Sequence, residues 1–472
     1  MLDLVLFLFV GFMLMMGLRR PYLWVLTYLY IDILAPQKIG WGLTQALPIS
    51  LIAFCAAFAG WILVDPKRGS KWTLRQTILV ILLLYCGWTT MNADFPESAQ
   101  VKWEWVWKAL VFAIFLPLTL TTRMRMEGAA LTMVLTVGAI IIATGLKTAS
   151  GGGGYESLSF FVNNNSGIYE SSTLSTVAVG IIPLIIWFTN HGTVFPPDWR
   201  VKAFAYALIF ACLLVPIGTE ARTGLICMGV LALVSLRDVK RRLSFIMAGA
   251  MMVLVAAPFL PASYYERMGL IAGYQEDSSA STRVAVWEWT IDYALENPTG
   301  GGFDAFLGNR FAYHMPVKEE TGDHTVSIEY REVVDEGRAY HSSIFEMLGE
   351  QGWPGLGLWL WFQALGIWQM ERLRRRWRGR TGAGQQWQAP LASALQVAQI
   401  IYLVGSLFQG IAYQPFIMML AGLQIGLWTY CNRHESRSRT GRRPMRPDRA
   451  GGTGEGRSAR SNAVAAGARA LR

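Results

Sequence analysis

Arg338-Ala-Tyr-His341-Ser-Ser-Ile-Phe-Glu-Met-Leu-Gly-Glu-Gln-Gly-Trp-Pro-Gly355 is where this chain changes character. Before it lies a polar interval, from about Pro261 to Tyr340, which also holds His314 and His324. After it, as in most of the first 260 residues, the sequence consists of apolar runs long enough to cross a hydrocarbon core of ~30 Å at 1.5 Å per residue. The polar interval alone has the length and composition of a folded extramembrane piece. His341 stands where it re-enters the membrane, so any chemistry is expected there.

Working outward, the 472 residues are 53% hydrophobic and only 16% charged, which excludes an ordinary soluble protein. Apolar runs predict spans at 2–18, 22–35, 47–64, 74–91, 105–122, 129–147, 172–189, 203–218, 222–236, 243–260, 342–369, 391–408 and 411–430. The expected fold is an all-α polytopic integral membrane protein with about 12–14 transmembrane helices and one large periplasmic loop containing short helices. It divides into N-terminal transmembrane helices over 1–260, the loop over 261–341, C-terminal transmembrane helices over 342–431 and a disordered basic tail over 432–472. The N-terminal run has Asp3 before it and no small-x-small cleavage site, so it reads as the first span and not a signal peptide.

A net charge of +10 raises the question of nucleic acid, but its distribution answers it. Of the 42 Lys and Arg residues, 31 fall in alternate short loops and in the tail. That is the positive-inside pattern of a membrane protein, and no nucleic-acid partner is expected. It puts those loops and the tail in the cytosol and the 261–341 interval outside, in the periplasm of a Gram-negative inner membrane. The tail can rest on anionic membrane lipid or have no specific role. The five cysteines lie in or beside spans without close pairing, as packing residues.

Few residues are placed for chemistry. Gly218-Thr-Glu-Ala-Arg222-Thr-Gly224 is so short a link that Glu220 and Arg222 sit at the membrane surface. They read either as an internal ion pair or as a guanidinium fork for a phosphate. Asp277-Ser-Ser-Ala-Ser-Thr-Arg283 precedes a helical pattern from Val284 to Glu296, with Ser281 or Thr282 as its N-cap and Arg283 in its first turn. Trp287, Ile291, Ala294 and Leu295 form its apolar face, and Glu288, Asp292 and Glu296 line another, either a solvated stripe or paired carboxylates of the kind used in glycoside chemistry. His341 is either a satisfied helix-end residue or a base for an attacking hydroxyl. Asn163-Asn-Asn165 supplies amides that cap a helix or bind a sugar, and Lys102 beside Trp103, Trp105 and Trp107 reads as an interfacial belt. No metal-ligand spacing, P-loop or Rossmann pattern occurs, so no metal or cofactor is expected.

Three patches in order, Glu220-Ala-Arg222, the run from Arg283 through Asn297-Pro298 and Gly300-Gly-Gly-Phe303, and His341-Ser-x-x-x-Glu-x-Leu-Gly-Glu-x-Gly, carry a resemblance. Together they resemble the O-antigen ligase and polymerase superfamily, most closely its O-glycosylation ligase branch associated with exosortase systems. The family often has Ser where this chain has Ala221. The resemblance implies a glycan donor on undecaprenyl diphosphate and an acceptor hydroxyl on a protein, a lipid or another lipid-linked glycan. It implies Arg222 and Arg283 on the diphosphate, His341 as the base, and Glu220, Arg338 and Asn164 in support. A polymerase is the alternative within the family, and a polytopic transporter the alternative outside it.

Overall fold

Several helix starts follow from local chemistry. Thr73 and Gln76 form a reciprocal capping box, Asp198 accepts from the Arg200 amide at 2.8 Å, and Pro96 occupies a first helical turn, where its missing N–H costs nothing. In the computed structural model, which describes residues 2–40, 42–150, 167–237, 278–321, 325–382, 384–440 and a few positions between 242 and 251, the chain is an all-α polytopic membrane protein. The helices are α1 Leu2–Arg19, α2 Tyr22–Leu34, α3 Pro36–Ile39, α4 Leu43–Ala46, α5 Ile49–Leu63, α6 Leu74–Met91, α7 Pro96–Thr119, α8 Arg123–Ala149, α9 Ser171–His191, α10 Trp199–Gly218 and α11 Arg222–Ser235. After them come α12 Ser278–Glu296, α13 Ser343–Trp377, α14 Gln388–Ser406 and α15 Pro415–Thr440. Six of these are long and apolar enough to cross a membrane by length and composition alone: α1, α6, α8, α9, α10 and α14.

Where sequence and structure differ, a competing signal explains it. Pro96 starts α7 well before the expected 105, and α12 begins at Ser278, which moves Arg283 from the first turn to the second. The buried face of α12 is Val286, Thr290 and Ala294, with Trp287 half-buried; Ile291 and Leu295 are exposed alongside Glu288, Asp292 and Glu296. The polar interval also holds an antiparallel hairpin, β1 Arg310–Thr321 and β2 Thr325–Glu336, paired in register from Arg310 opposite Glu336 to Thr321 opposite Thr325. Its β-branched residues are spread over a charged segment, so alternation was weak in the sequence. Most of the expected span at 243–260, the start of the 261–341 interval, Asn164 and the tail beyond 440 lie outside the described residues.

Packing follows the composition of each face. Tyr28 of α2, Phe54 and Phe58 of α5 and Phe112 and Phe115 of α7 interlock, with Tyr28 and Phe112 centroids 4.3 Å apart and Phe58 stacked on Phe115 at 4.0 Å. Against α9, α14 approaches closely because Gly405 has no side chain; a Cβ there would stand 2.4 Å from Thr176 Cγ2.

Candidate functional site

The site is built on a break in α13. Gly352 has φ 60° and ψ −167°, a conformation open essentially only to glycine, and Pro354 follows it. The break leaves the Gly349 and Glu350 carbonyls without helical partners. The turn after α12 supplies them: Gly301 N–H donates to Gly349 O at 3.0 Å and Gly302 N–H to Glu350 O at 2.9 Å. Trp353 N–H returns a bond to Pro298 O at 3.0 Å. The backbones meet so closely that a Cβ on Gly300 would lie 2.4 Å from Gly352 N. Both glycine patches of the sequence therefore serve one docking contact, which seats α12 against the top of α13.

Beside this junction lies a cavity of about 630 Å³ between α2, α7, α9, the start of α13 and the 407–414 loop. On its wall, Lys102 of α7 projects into a group of carboxylates, with Nζ 2.8 Å from Glu346, 2.7 Å from Glu350 and 3.7 Å from Asp304. Glu346 also accepts from the Ala412 amide at 2.9 Å, and Glu350 from the Asp304 amide at 3.1 Å. The second Glu350 oxygen is buried with no hydrogen-bond partner among the described residues. Three carboxyl groups thus converge on one ammonium beside the cavity. Lys38 brings a second cation to the same cavity.

His341 opens onto this cavity and is exposed to it. Its backbone is left-handed at φ 47°, and Ser342 after it, extended at φ −158°, forms the N-cap position of α13. Ser343 locks that end: its hydroxyl donates to Gln409 O at 2.9 Å and accepts from Ile411 N–H at 3.0 Å. The packed surroundings lower the imidazole pKa below its ordinary value, and the Arg283 and Arg338 guanidiniums push it the same way. Arg283 reaches this neighbourhood because Trp287, one turn on, donates to Tyr340 O at 2.8 Å and stacks on Phe345 at 4.9 Å. Its charge also acts on Glu170, at the N-terminus of α9, whose carboxyl is pushed up by burial against the pull of Thr173 and Arg283. The Thr173 hydroxyl is shared between Glu170 and the side-chain carbonyl of Gln409 at 2.9 Å.

Of the residues singled out from sequence, His341 lines the cavity and Arg283 stands beside it. Arg338 sits at the exposed rim, its guanidinium on Asp335 at 2.7 Å and its backbone clasped by Asn309. Glu220 and Arg222 occupy the link between α10 and α11 and do not line the cavity. That link is tied to α9 through Thr219, whose hydroxyl meets that of Ser175 at 2.8 Å. Glu220 is left-handed at φ 49°. Lys102, Glu346, Glu350, Asp304, Glu170 and Lys38 were not singled out as site residues. The available signals were the i, i+4 spacing of Glu346 and Glu350 within a span and Pro96 as a helix start, which turns Lys102 inward.

Fold and cavity together define a polytopic helical membrane protein with a charged, partly aromatic cavity at one end of its bundle. Residues 207–360 match the O-Antigen ligase family, and residues 1–193 match a Family of unknown function (DUF5935). The O-antigen ligase match runs from within α10 into the first half of α13. No curated protein matches the chain. His341, Arg283 and Arg222 lie inside the ligase match, whereas Lys38, Lys102 and Glu170 come from the other matched region.

Proposed function

We propose that the protein transfers a glycan from a polyprenyl diphosphate to an acceptor hydroxyl in the His341 cavity, facing the periplasm from the inner membrane. The observation that carries this reading is an exposed imidazole, held toward its neutral form, on a cavity next to a guanidinium. The acceptor hydroxyl attacks the anomeric carbon as the bond from that carbon to the diphosphate oxygen breaks. His341 takes the hydroxyl proton, and the diphosphate leaves with the bonding electrons. One displacement inverts the anomeric centre.

Arg283 offsets the charge that develops on the leaving diphosphate, a contribution that can be large away from bulk water. The resemblance adds Arg222 on the diphosphate with Glu220 in support, both on the α10–α11 link outside the lining of the cavity. Lys38 adds a cation on the cavity wall. The donor is already activated, so this scheme calls on neither metal nor nucleotide. Lipid-like and protein acceptors both present a hydroxyl, and the O-glycosylation branch is the first choice among them.

The test is transfer in vitro. Purified protein receives an undecaprenyl-diphosphate-linked glycan with protein, lipid and lipid-linked glycan acceptors, and wild type is compared with His341→Ala, Arg283→Ala and Arg222→Ala. Loss of transfer in all three is expected. Full activity in the His341 variant removes the base. Elongation of the lipid-linked glycan alone would make the protein a polymerase, and solute uptake into proteoliposomes without transfer would make it a transporter.

A further inference from the structure

A second cavity, of about 480 Å³, lies at the opposite end of α13 from His341, between the last turns of α9, α11 and α13 and the first turns of α14. Its walls are of two kinds. Ile186 and Val397 give it an apolar side, and Ile186 is 46% exposed, so the cavity opens along the bundle surface. Arg374, Arg378, Arg380 and His191 also line it, with the Arg380 guanidinium over the Trp377 ring at 4.1 Å. Trp377 lines it too, and its indole N–H is buried with no hydrogen-bond partner among the described residues. The neighbouring carboxylate, Glu371, is already held by Arg374 at 2.9 Å, by Arg375 and by Arg237 at 3.5 Å.

We propose that this cavity binds one anionic phospholipid, its phosphate between Arg378 and Arg380 and an acyl chain along Ile186 and Val397. A guanidinium pair matches a phosphate in charge and donor geometry. Hydrocarbon fills the apolar side, which water would fill poorly. Basic pockets between helix ends are where anionic headgroups are held in membrane proteins. The cavity is separated from His341 by the length of α13, so the lipid is a structural ligand of the helix ends and plays no part in the proposed transfer.

Full-length protein in nanodiscs of phosphatidylcholine containing phosphatidylglycerol tests this, with retained lipid per protein read by native mass spectrometry. Wild type should retain phosphatidylglycerol over phosphatidylcholine. Arg378→Gln/Arg380→Gln should weaken phosphatidylglycerol retention roughly 30-fold, the effect of removing two surface cations. Ile186→Trp, which fills the exposed apolar side and keeps every charge, should also lower it and serves if the double variant misfolds. Arg19→Gln/Arg20→Gln removes two exposed charges at the end of α1 and should change nothing. Equal retention of both lipids, an equal loss in the α1 variant, or displacement of the lipid by millimolar inorganic phosphate would each overturn the proposal. The last result would mark a site for free anion.

Discussion

His341 combines three properties that a helix-end histidine does not need: a left-handed backbone, an opening onto a cavity, and cationic neighbours. The backbone alone costs about 1–3 kcal/mol, and such strain persists only where the surroundings impose it. Among the described residues the other left-handed non-glycines are Ala35, which lines the same cavity, Asp304, which faces Lys102, and Glu220. His341→Gln should keep the fold and lower transfer by about 10²–10⁴-fold, the usual worth of a positioned base, with circular dichroism confirming the helices. Packing, then Arg283, then Arg338 hold the imidazole pKa below its ordinary 6.5, so the base form persists as pH falls to and below that value. The acid limb of the rate profile should therefore lie below pH 6.5, and Arg338→Gln should move it upward; an unmoved limb would show that another group titrates. The same sign applies to folding: the contribution is intact above the unfolded pKa and lost as pH drops through it, because the unfolded chain takes the proton first. The sequence drew attention to this histidine but not to its backbone or its neighbours, which depend on α12 folding back over it.

At the scale of elements, the break in α13 and the turn after α12 act as one unit. Gly352→Ala places a Cβ 2.1 Å from Pro298 O in a conformation that alanine avoids. It should destabilise the protein by about 1–3 kcal/mol or more and undock α12, seen as a lower melting temperature and new proteolysis between residues 296 and 310. Gly357→Ala, five residues on and with open space around its Cα, should be neutral or stabilise by about 0.5–1 kcal/mol. Lys102→Met should cost about 3–5 kcal/mol, since it strands Glu346 and Glu350 without their cation; denaturation in detergent would register it. A Lys102→Met protein as stable as wild type would mean those carboxyls are already neutral. The glycine runs were visible in the sequence, but their reason was not, because the partner of each run is the other run, roughly 50 residues away. Hydropathy alone starts α7 at 105 and leaves Lys102 in an interfacial belt, whereas Pro96 marks its first turn and brings Lys102 into the helix.

For the molecule as a whole, α13 separates two chemically different ends: the carboxylate-rich cavity beside His341 and the arginine-rich cavity at Trp377. If α13 crosses the membrane once, cysteines placed at Arg338 and Arg375 in a background lacking the exposed Cys55 should label from opposite faces with an impermeant reagent. Position 338 is expected to label from outside and 375 only after permeabilisation. Labelling of both from one face would reject the orientation drawn from the loops. The sequence by itself determined the class of architecture, the helical segments and the asymmetry of basic loops. Those properties come from local composition, because a lipid interior demands long apolar helices and a membrane potential sorts cations along the chain. The tertiary structure alone decided which polar groups meet. Lys102, Arg283, Asp304 and the stretch from His341 to Glu350 are separate in the chain, and burial makes their charges matter only once the helices have packed.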